Sequence, residues 1–397
     1  MLNNNQVIKL FIIALTTIFV ISCSKTPIAK QNSFNNGVID GFYAEKALGA
    51  YHDLFHETKS QNITADRVQY IVEELDTIAI NVDLTDNKGF VLLRKTGNPL
   101  MIMSKGNLNE ALEKVPAFKE TYKHLMGRFR PPVPEPSDSS AAIVSTLLYE
   151  TTTANILPII DVDMHQGYPF NKYTPNGYAG CTPVAIAQSF SVFEDPDTIA
   201  VTFSGSSISS LALSWTNMKE HLHFHDSLCV YCDMNGYLLR EIGNRCNASY
   251  NQGSTSAWPT MDCISSFGYT AINGQSYDES RITSSLRFGL PVIISGFNQA
   301  GTVGHSWNID GYYELVSEYS VDTMQGNVLL EHNWNEIHDQ VYMHFNYGWG
   351  GYANGYVLAR ETITDIYDDY EYVHHPVQIF SNDYNDVRRL VTHIAPI

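Results

Sequence analysis

The chain has 397 residues, 44% of them hydrophobic, so it can bury a large core and form two or more domains. It carries 42 acidic and 24 basic side chains, which give a net charge of −18. A charge this negative argues against nucleic acid as a partner, because the phosphate backbone would be repelled.

The N-terminus has the pattern of an export signal. Lys9 precedes a twelve-residue apolar run, which ends just before Ser22 and Cys23. This run is too short to cross a bilayer as a helix, so it predicts a signal peptide over residues 1–23. Residues 20–23 resemble a bacterial lipobox, in which the cysteine is acylated, and they predict an exported lipoprotein bound to a membrane through Cys23. The alternative is an ordinary signal peptide cut near Ser22, and the membrane face, periplasmic or outer, stays open.

Residues 24–38 are polar and predict a tether, and residues 39–128 predict a small α+β unit. Within that unit, helical spacing of apolar residues predicts helices over residues 43–55, 65–75 and 108–126. Alternation of apolar and polar residues, with a turn signal at residues 86–89, predicts strands over residues 77–84, 90–93 and 100–103.

A stretch rich in proline and serine, residues 129–144, follows this unit. Its composition disfavours helix and sheet and predicts a solvated linker, followed by a second domain over residues 145–397. Because exposed linkers are readily cut, we predict activation by cleavage between about residues 128 and 155. The alternative is a plain linker that is never cut.

The most informative motif of the second domain is Gly180-Cys181-Thr182-Pro183, which opens an apolar, helix-like run. A thiol at that place lies near free backbone N–H groups and the positive end of a helix dipole, and both stabilise its reactive thiolate form. Pro183 fits the first helical turn. The alternative is a buried, inert cysteine, because free cysteine is among the most buried residue types.

Two later motifs favour the reactive cysteine. Gly304-His305 opens an alternating strand, and Asn346 begins a cluster that contains Trp349 and several glycines. A cysteine at a helix start with a distant histidine and asparagine is the pattern of thiol proteases. In that reading His305 takes the thiol proton, while Asn346 hydrogen-bonds the imidazole and Trp349 shields that bond.

From about residue 145 to the C-terminus, the chain resembles the streptopain family of papain-like cysteine peptidases. The resemblance rests on five ordered segments, at residues 166–171, 177–188, 250–257, 304–311 and 346–351. It implies an α+β papain-like fold, with helices first and an antiparallel sheet later, and an N-terminal unit that acts as an inhibitory prodomain. It further implies that Gln166 donates to the oxyanion hole and that Ser256 and Gly304 contact the bound peptide. Trp349 is placed with them among the substrate-binding residues.

The chain departs from the family at several positions, of which Tyr347 is one, because the family usually has tryptophan directly after the asparagine. This departure favours an alternative reading, a binding or inhibitory protein that has lost catalysis on the same scaffold. A further alternative is a transpeptidase or amidase, in which an amine replaces water. The main prediction is a cysteine endopeptidase made as a zymogen, with protein or peptide substrates and no metal or organic cofactor.

Four other cysteines remain, and an oxidising compartment would allow two disulfides among them, with three connectivities open: Cys229, Cys232, Cys246 and Cys263. The Cys229-x-x-Cys232 pair follows three alternating histidines, so a zinc site is the less favoured alternative, because alternating histidines do not share one helix face.

Overall fold

We describe the fold from a computed structural model of the chain. The described residues are 41–55, 63–73, 76–128, 142–223, 228–251, 254–256, 261–274, 276–297, 304–325, 328–367, 371–373, 377–378 and 387–397. The predicted signal peptide with Cys23, the tether, and the linker up to residue 141 lie outside the described residues. Among the described residues, no helix is both long and apolar enough to cross a bilayer.

The N-terminal unit combines helices with an antiparallel sheet. In chain order its elements are α1 (Gly41–Phe55), β1 (Ala65–Glu73), β2 (Asp76–Leu84), a 3-10 turn (Thr85–Asn87), β3 (Phe90–Leu93), β4 (Pro99–Met103), α2 (Leu108–Lys114) and α3 (Pro116–Arg128). The helix predicted over residues 65–75 is wrong, because residues 65–73 form β1. Its β-branched and aromatic side chains favour a strand, and it pairs along its length with β2.

The second unit begins with an extended strand and then a helical region. Its first elements are β5 (Ala142–Ile156), α4 (Cys181–Ser191), β6 (Thr198–Phe203), β7 (Ser206–Ala212), α5 (Trp215–Glu220), α6 (Val230–Arg245), β8 (Ser249–Asn251), β9 (Ser254–Ser256) and α7 (Met261–Ser265). Strand β5 starts three residues before the predicted domain boundary at residue 145.

Strands dominate the rest of the chain. These elements are β10 (Tyr269–Gly274), α8 (Glu279–Arg287), β11 (Val292–Phe297), β12 (Gly304–Gln325), β13 (Val328–Asn346), β14 (Gly355–Ile366), β15 (Glu371–Val373), β16 (Val377–Gln378) and β17 (Val387–Pro396). Helices followed by antiparallel strands are the predicted α+β arrangement, and the fold-class prediction is confirmed.

One sheet runs through both units. Its main path is β1-β2-β3-β4-β14-β13-β12-β11-β17-β10, and every neighbouring pair is antiparallel. The junction lies between β4 and β14, where Met103 pairs with Gly355 and Met101 with Val357. The N-terminal unit is therefore joined to the second unit by backbone hydrogen bonds as well as by side-chain packing.

Two apolar cores lie on opposite faces of this sheet. Val292 and Ile294 belong to the core shared with the N-terminal unit, whereas Ile293 between them belongs to the core under α4 and α6. Because side chains alternate along a strand, the two cores are separated by the sheet. Helix α4 packs on the second face with nearly all of its residues buried, which fixes the position of its first residue, Cys181.

Candidate active site

Cys181 is the first residue of α4, where the backbone turns from a loop into the helix. Gly180 precedes it with a φ of 95°, a left-handed conformation that favours glycine, and no side chain caps the helix. The Cys181 thiol is free and partly exposed. The predicted position of the thiol, at a helix start, is thus the observed one.

His305 is the second residue of β12 and pairs with Gly296 on β11. Its imidazole interacts with the Cys181 sulfur closely enough to shift the pKa of both groups. Its Nε2 atom lies 3.0 Å from the backbone carbonyl oxygen of Tyr347, to which it can donate. The ring is therefore held between the sulfur and a fixed acceptor, which leaves it little freedom to turn.

The two groups shift each other's protonation. Burial raises the pKa of the Cys181 thiol, but the His305 charge and hydrogen bond, with the backbone N–H groups of Ser306 and Thr182, outweigh it and lower the pKa from 9.0 to about 7. Burial lowers the pKa of His305, but the Cys181 sulfur and the Tyr347 carbonyl outweigh that effect and raise it. The pair thus favours thiolate and imidazolium, the reactive state of a cysteine nucleophile.

Two indoles flank the imidazole. The Trp307 ring is stacked near His305 at a centroid distance of 6.0 Å, and the Trp349 ring lies 6.4 Å away at a tilt of 33°. Trp349 therefore lies beside the histidine, and its predicted place among the substrate-binding residues remains a prediction. Trp307 was not predicted to be part of the site, although its place two residues after His305 on one face of a strand indicates it.

The predicted hydrogen bond from Asn346 to the His305 imidazole is wrong for this structure. Within the described residues, the Asn346 amide bonds instead with three other groups: the Gln188 side-chain Nε2 at 2.9 Å, the Gly348 N–H at 3.2 Å and the Val162 carbonyl at 3.3 Å. The physical reason is competition, because those buried partners satisfy both ends of the amide. The group that accepts from His305 is the next residue's carbonyl, that of Tyr347.

A buried polar network joins the cysteine helix to the histidine strand. Asn308 donates to the Gln188 side-chain oxygen at 3.1 Å, and Gln188 in turn donates to Asn346. At the other end of the helix, the Thr182 and Ser306 hydroxyls are 2.9 Å apart. Sequence reasoning missed these residues, although Gln188 and Asn308 are polar side chains inside otherwise apolar elements, a pattern that indicates buried partners.

The remaining predicted site residues lie at the edges of this arrangement. The Gln166 carbonyl accepts the Ala179 N–H at 3.0 Å, which ties Gln166 to the loop that leads into Cys181. Gly304 is exposed at the start of β12, next to His305. Ser256 ends β9, where its backbone pairs with Ser249, and its side chain lies outside the described part of the chain. The roles given to Gln166, Gly304 and Ser256 remain predictions.

The other four cysteines form two disulfides, Cys229–Cys232 and Cys246–Cys263. The pairing selects one of the three connectivities and occupies the sulfurs that the zinc alternative would need. In the part of the chain that the structure describes, no three His, Cys, Asp or Glu side chains are grouped so that they could hold a metal ion.

A thiol at the start of a buried helix, paired with an imidazole from an antiparallel sheet, is the arrangement of a cysteine peptidase. The model of the Peptidase C10 family matches residues 164–357, which include Gln166, Cys181, His305 and Asn346. The resemblance to the streptopain family is therefore confirmed over this stretch of the chain.

Two solved structures are similar to this chain. Prointerpain A of Prevotella intermedia is 18% identical, with 82% of this chain and 97% of that chain covered at a TM-score of 0.48. Active interpain A, a cysteine protease of the same organism, is 18% identical, with 61% and 95% covered at a TM-score of 0.38. Among curated proteins, none matches the chain.

Proposed function

We propose that this chain is the exported, lipid-anchored zymogen of a cysteine endopeptidase. The observation that carries the proposal is the pairing of Cys181, at a helix start, with His305 of β12, in which the pKa of the thiol is lowered to about 7. Such a thiol is substantially ionised near neutral pH, and a thiolate is the form that attacks a carbonyl.

In the proposed reaction, the Cys181 sulfur attacks the peptide carbonyl carbon, and His305 passes its proton to the leaving amine. The product is a thioester between Cys181 and the acyl half of the substrate, which water then hydrolyses with His305 as the base. The negative charge on the carbonyl oxygen is stabilised by the Cys181 N–H and by the Gln166 side chain. The support for Gln166 is its backbone carbonyl, which accepts the Ala179 N–H and so keeps this residue beside the cysteine loop. Tyr347 supports the imidazole through its carbonyl.

The test is a casein digest with mass analysis of the products, using the wild type and the Cys181→Ala variant. We expect the wild type to produce casein fragments with free carboxyl termini and Cys181→Ala to produce none. Products joined to an added amine would establish an amine acceptor instead. If the wild type leaves casein intact after removal of the N-terminal unit, the chain is a binding or inhibitory protein and the proposal is wrong.

We further infer that residues 39–128 are the inhibitory prodomain. The support is that this unit contacts residues 347–354, the segment whose Tyr347 carbonyl accepts from His305. The hydrogen bonds that join the two include that between the Thr121 and Tyr347 hydroxyls at 3.0 Å and that from Lys105 Nζ to the Gly350 carbonyl at 2.7 Å. The Ser104 N–H and hydroxyl both donate to the Asn354 carbonyl, at 2.9 and 3.0 Å. Phe118 packs edge-on against the Tyr347 ring as well.

Cleavage of the linker is the proposed activation step. Strand β5 pairs with β12 from Ala142 onward, so we expect the cut before Ala142, since a paired strand is a poor protease substrate. The wild type should convert itself to a shorter form, whereas Cys181→Ala should stay full length. If both stay full length while activity appears, self-processing is refuted.

The lipid anchor is proposed from residues 20–23 alone. Cells fed a labelled fatty acid should label the wild type and not the Cys23→Ala variant. A labelled Cys23→Ala variant, or an unlabelled wild type, contradicts the anchor.

A further inference from the structure

Helix α6 has one disulfide at each end. At its start, Cys229 is the N-cap residue and is bonded to Cys232 in the first turn. At its end, Cys246 is the C-cap residue and is bonded to Cys263 on α7. The peptidase reaction uses neither disulfide. The two can therefore be compared directly, because they lie at opposite ends of one 16-residue helix.

The two ends differ in how well they stabilise a thiolate. The Cys229 sulfur accepts the Cys232 backbone N–H at 3.1 Å and lies at the positive end of the helix dipole. These are the conditions that stabilise a sulfur anion and make it a good leaving group in thiol–disulfide exchange. Cys246 lies at the negative end of the same helix, where a thiolate is disfavoured.

The two bonds also differ in what they hold together. Cys229 and Cys232 are neighbours within one helical turn, and the Asp233 N–H to Cys229 carbonyl bond at 3.1 Å keeps that turn closed without the disulfide. The Cys246–Cys263 bond closes a loop of 17 residues and joins two helices. Opening the second bond therefore releases more chain entropy than opening the first.

The start of the helix is also approachable from solvent. Cys229 keeps 9% of its surface exposed between two strongly exposed neighbours, Leu228 at 85% and Val230 at 61%, whereas Cys232 is fully buried. An attacking thiolate that reaches this end of the helix therefore meets the Cys229 sulfur before the Cys232 sulfur.

We propose that Cys229–Cys232 is a reversible thiol-exchange site for low-molecular-weight thiols, and that Cys246–Cys263 is a permanent structural bond. A thiolate attacks the Cys229 sulfur, a mixed disulfide forms, and the Cys232 sulfur leaves and takes a proton. A second thiolate attacks the sulfur of the bound small thiol, the oxidised small-molecule disulfide departs, and Cys229 leaves as a thiolate. Two electrons pass from two thiols to the protein disulfide, and both cysteines end reduced.

The first experiment uses the full-length chain with Cys181→Ser, so that the peptidase thiol is absent and activity plays no part. The protein is equilibrated in buffers of reduced and oxidised glutathione, and free thiols are alkylated and located by mass spectrometry. We expect Cys229 and Cys232 to be alkylated under conditions at least tenfold less reducing than those that open Cys246–Cys263. If the two bonds open together, or Cys246–Cys263 opens first, the proposal is overturned.

A second experiment measures the thiolate directly. In the same background, Cys232→Ser leaves Cys229 as a single thiol at the helix start, and Cys263→Ser leaves Cys246 at the helix end. The pH dependence of iodoacetamide alkylation should have a midpoint below the usual value of about 8.5 for Cys229 and at or above it for Cys246. If the alkylation midpoint of Cys229 is at or above that of Cys246, the proposal is refuted. If Cys263→Ser does not fold, the midpoint of Cys229 is compared with the usual thiol pKa of about 8.5 instead.

Discussion

Replacement of His305 by alanine should remove most of the activation of Cys181 while leaving the thiol in place. In the native site, burial raises the pKa of the thiol, and the His305 charge with three hydrogen bonds lowers it to about 7. His305→Ala removes the charge and one of those hydrogen bonds, while burial and the backbone N–H groups of Ser306 and Thr182 remain. The pKa of Cys181 should therefore return toward its ordinary value of 9.0.

The expected size of the effect follows from that shift. A difference of about two pKa units reduces the thiolate fraction at pH 6 by about 100-fold. A more basic thiolate is also a better nucleophile, by about tenfold over two units, so the net alkylation rate at pH 6 should fall by about tenfold. Above pH 10 the order should reverse, because both thiols are then ionised and the variant's thiolate is the stronger nucleophile.

The assay is the rate of Cys181 modification by iodoacetamide between pH 5 and 11, with the ionised sulfur followed by ultraviolet absorbance. His332→Ala is the matched control, since it removes a half-exposed histidine that pairs with Asp322 and not with the thiol. The wild type and this control should have a midpoint of about 7, and His305→Ala of about 9. If the His305→Ala midpoint lies within half a unit of the wild type, the histidine does not activate the thiol.

Three further predictions concern the junction between the two units. Tyr347→Phe removes only the hydroxyl that binds Thr121, so urea unfolding of the full-length chain should show a loss of about 1 kcal/mol, and no measurable loss contradicts the hydrogen bond. Arg94→Met leaves the buried Glu361 carboxylate paired with His338 but without its guanidinium partner, and should cost about 2 kcal/mol at pH 6; a cost below about 1 kcal/mol would mean that the Arg94 pair is solvated. Burial raises the pKa of Glu361, but its partners His338 and Arg94 outweigh burial and lower the pKa to about 2. Burial lowers the pKa of His338, but its partners Glu336 and Glu361 outweigh burial and raise the pKa to about 9. The carboxylate therefore stabilises the fold above pH 4.5 and loses this effect toward pH 2, and the imidazolium stabilises it below pH 6.5 and loses this effect toward pH 9. The difference in melting temperature between the wild type and Glu361→Gln should be largest between pH 4.5 and 6.5, where both charges stabilise the fold. A difference that stays constant from pH 3 to 9 would contradict both pKa shifts.

Local chemistry made the reactive pair predictable from sequence. The glycine before Cys181 and the proline after Thr182 favour a loop that turns into a helix, and that local geometry already places the thiol at a helix start. His305 follows a glycine in an alternating segment, which indicates a strand whatever the rest of the fold does. Both features depend on a few neighbouring residues, so no tertiary information was needed to predict them.

The features that sequence did not predict depend on distant partners. Residues 65–73 have apolar spacing compatible with a helix, and they form a strand because β2 supplies the hydrogen bonds and the buried face. Asn346 has the right residue type to orient His305, but Gln188 and Val162 take its amide, a competition that only the packed structure decides. The single helix predicted over residues 108–126 is instead two helices, α2 and α3, that break before Pro116. This miss has a local cause, because the residue before a proline is disfavoured in a helix.

The buried network explains why the two reactive groups meet. Thr182 contacts Ser306 at the start of α4, and Gln188, almost two helical turns later, contacts Asn308 two residues further along β12. The Thr182–Ser306 contact alone fixes where the helix lies along the strand. The Gln188–Asn308 contact, added to it, also fixes the rotation of the helix about its own axis. Thr182 and Gln188 lie one and seven residues after Cys181, and their partners Ser306 and Asn308 lie one and three residues after His305. A shift of either element by one residue would therefore leave these buried polar groups unpaired. The reactive geometry is therefore set by side chains that take no part in the chemistry.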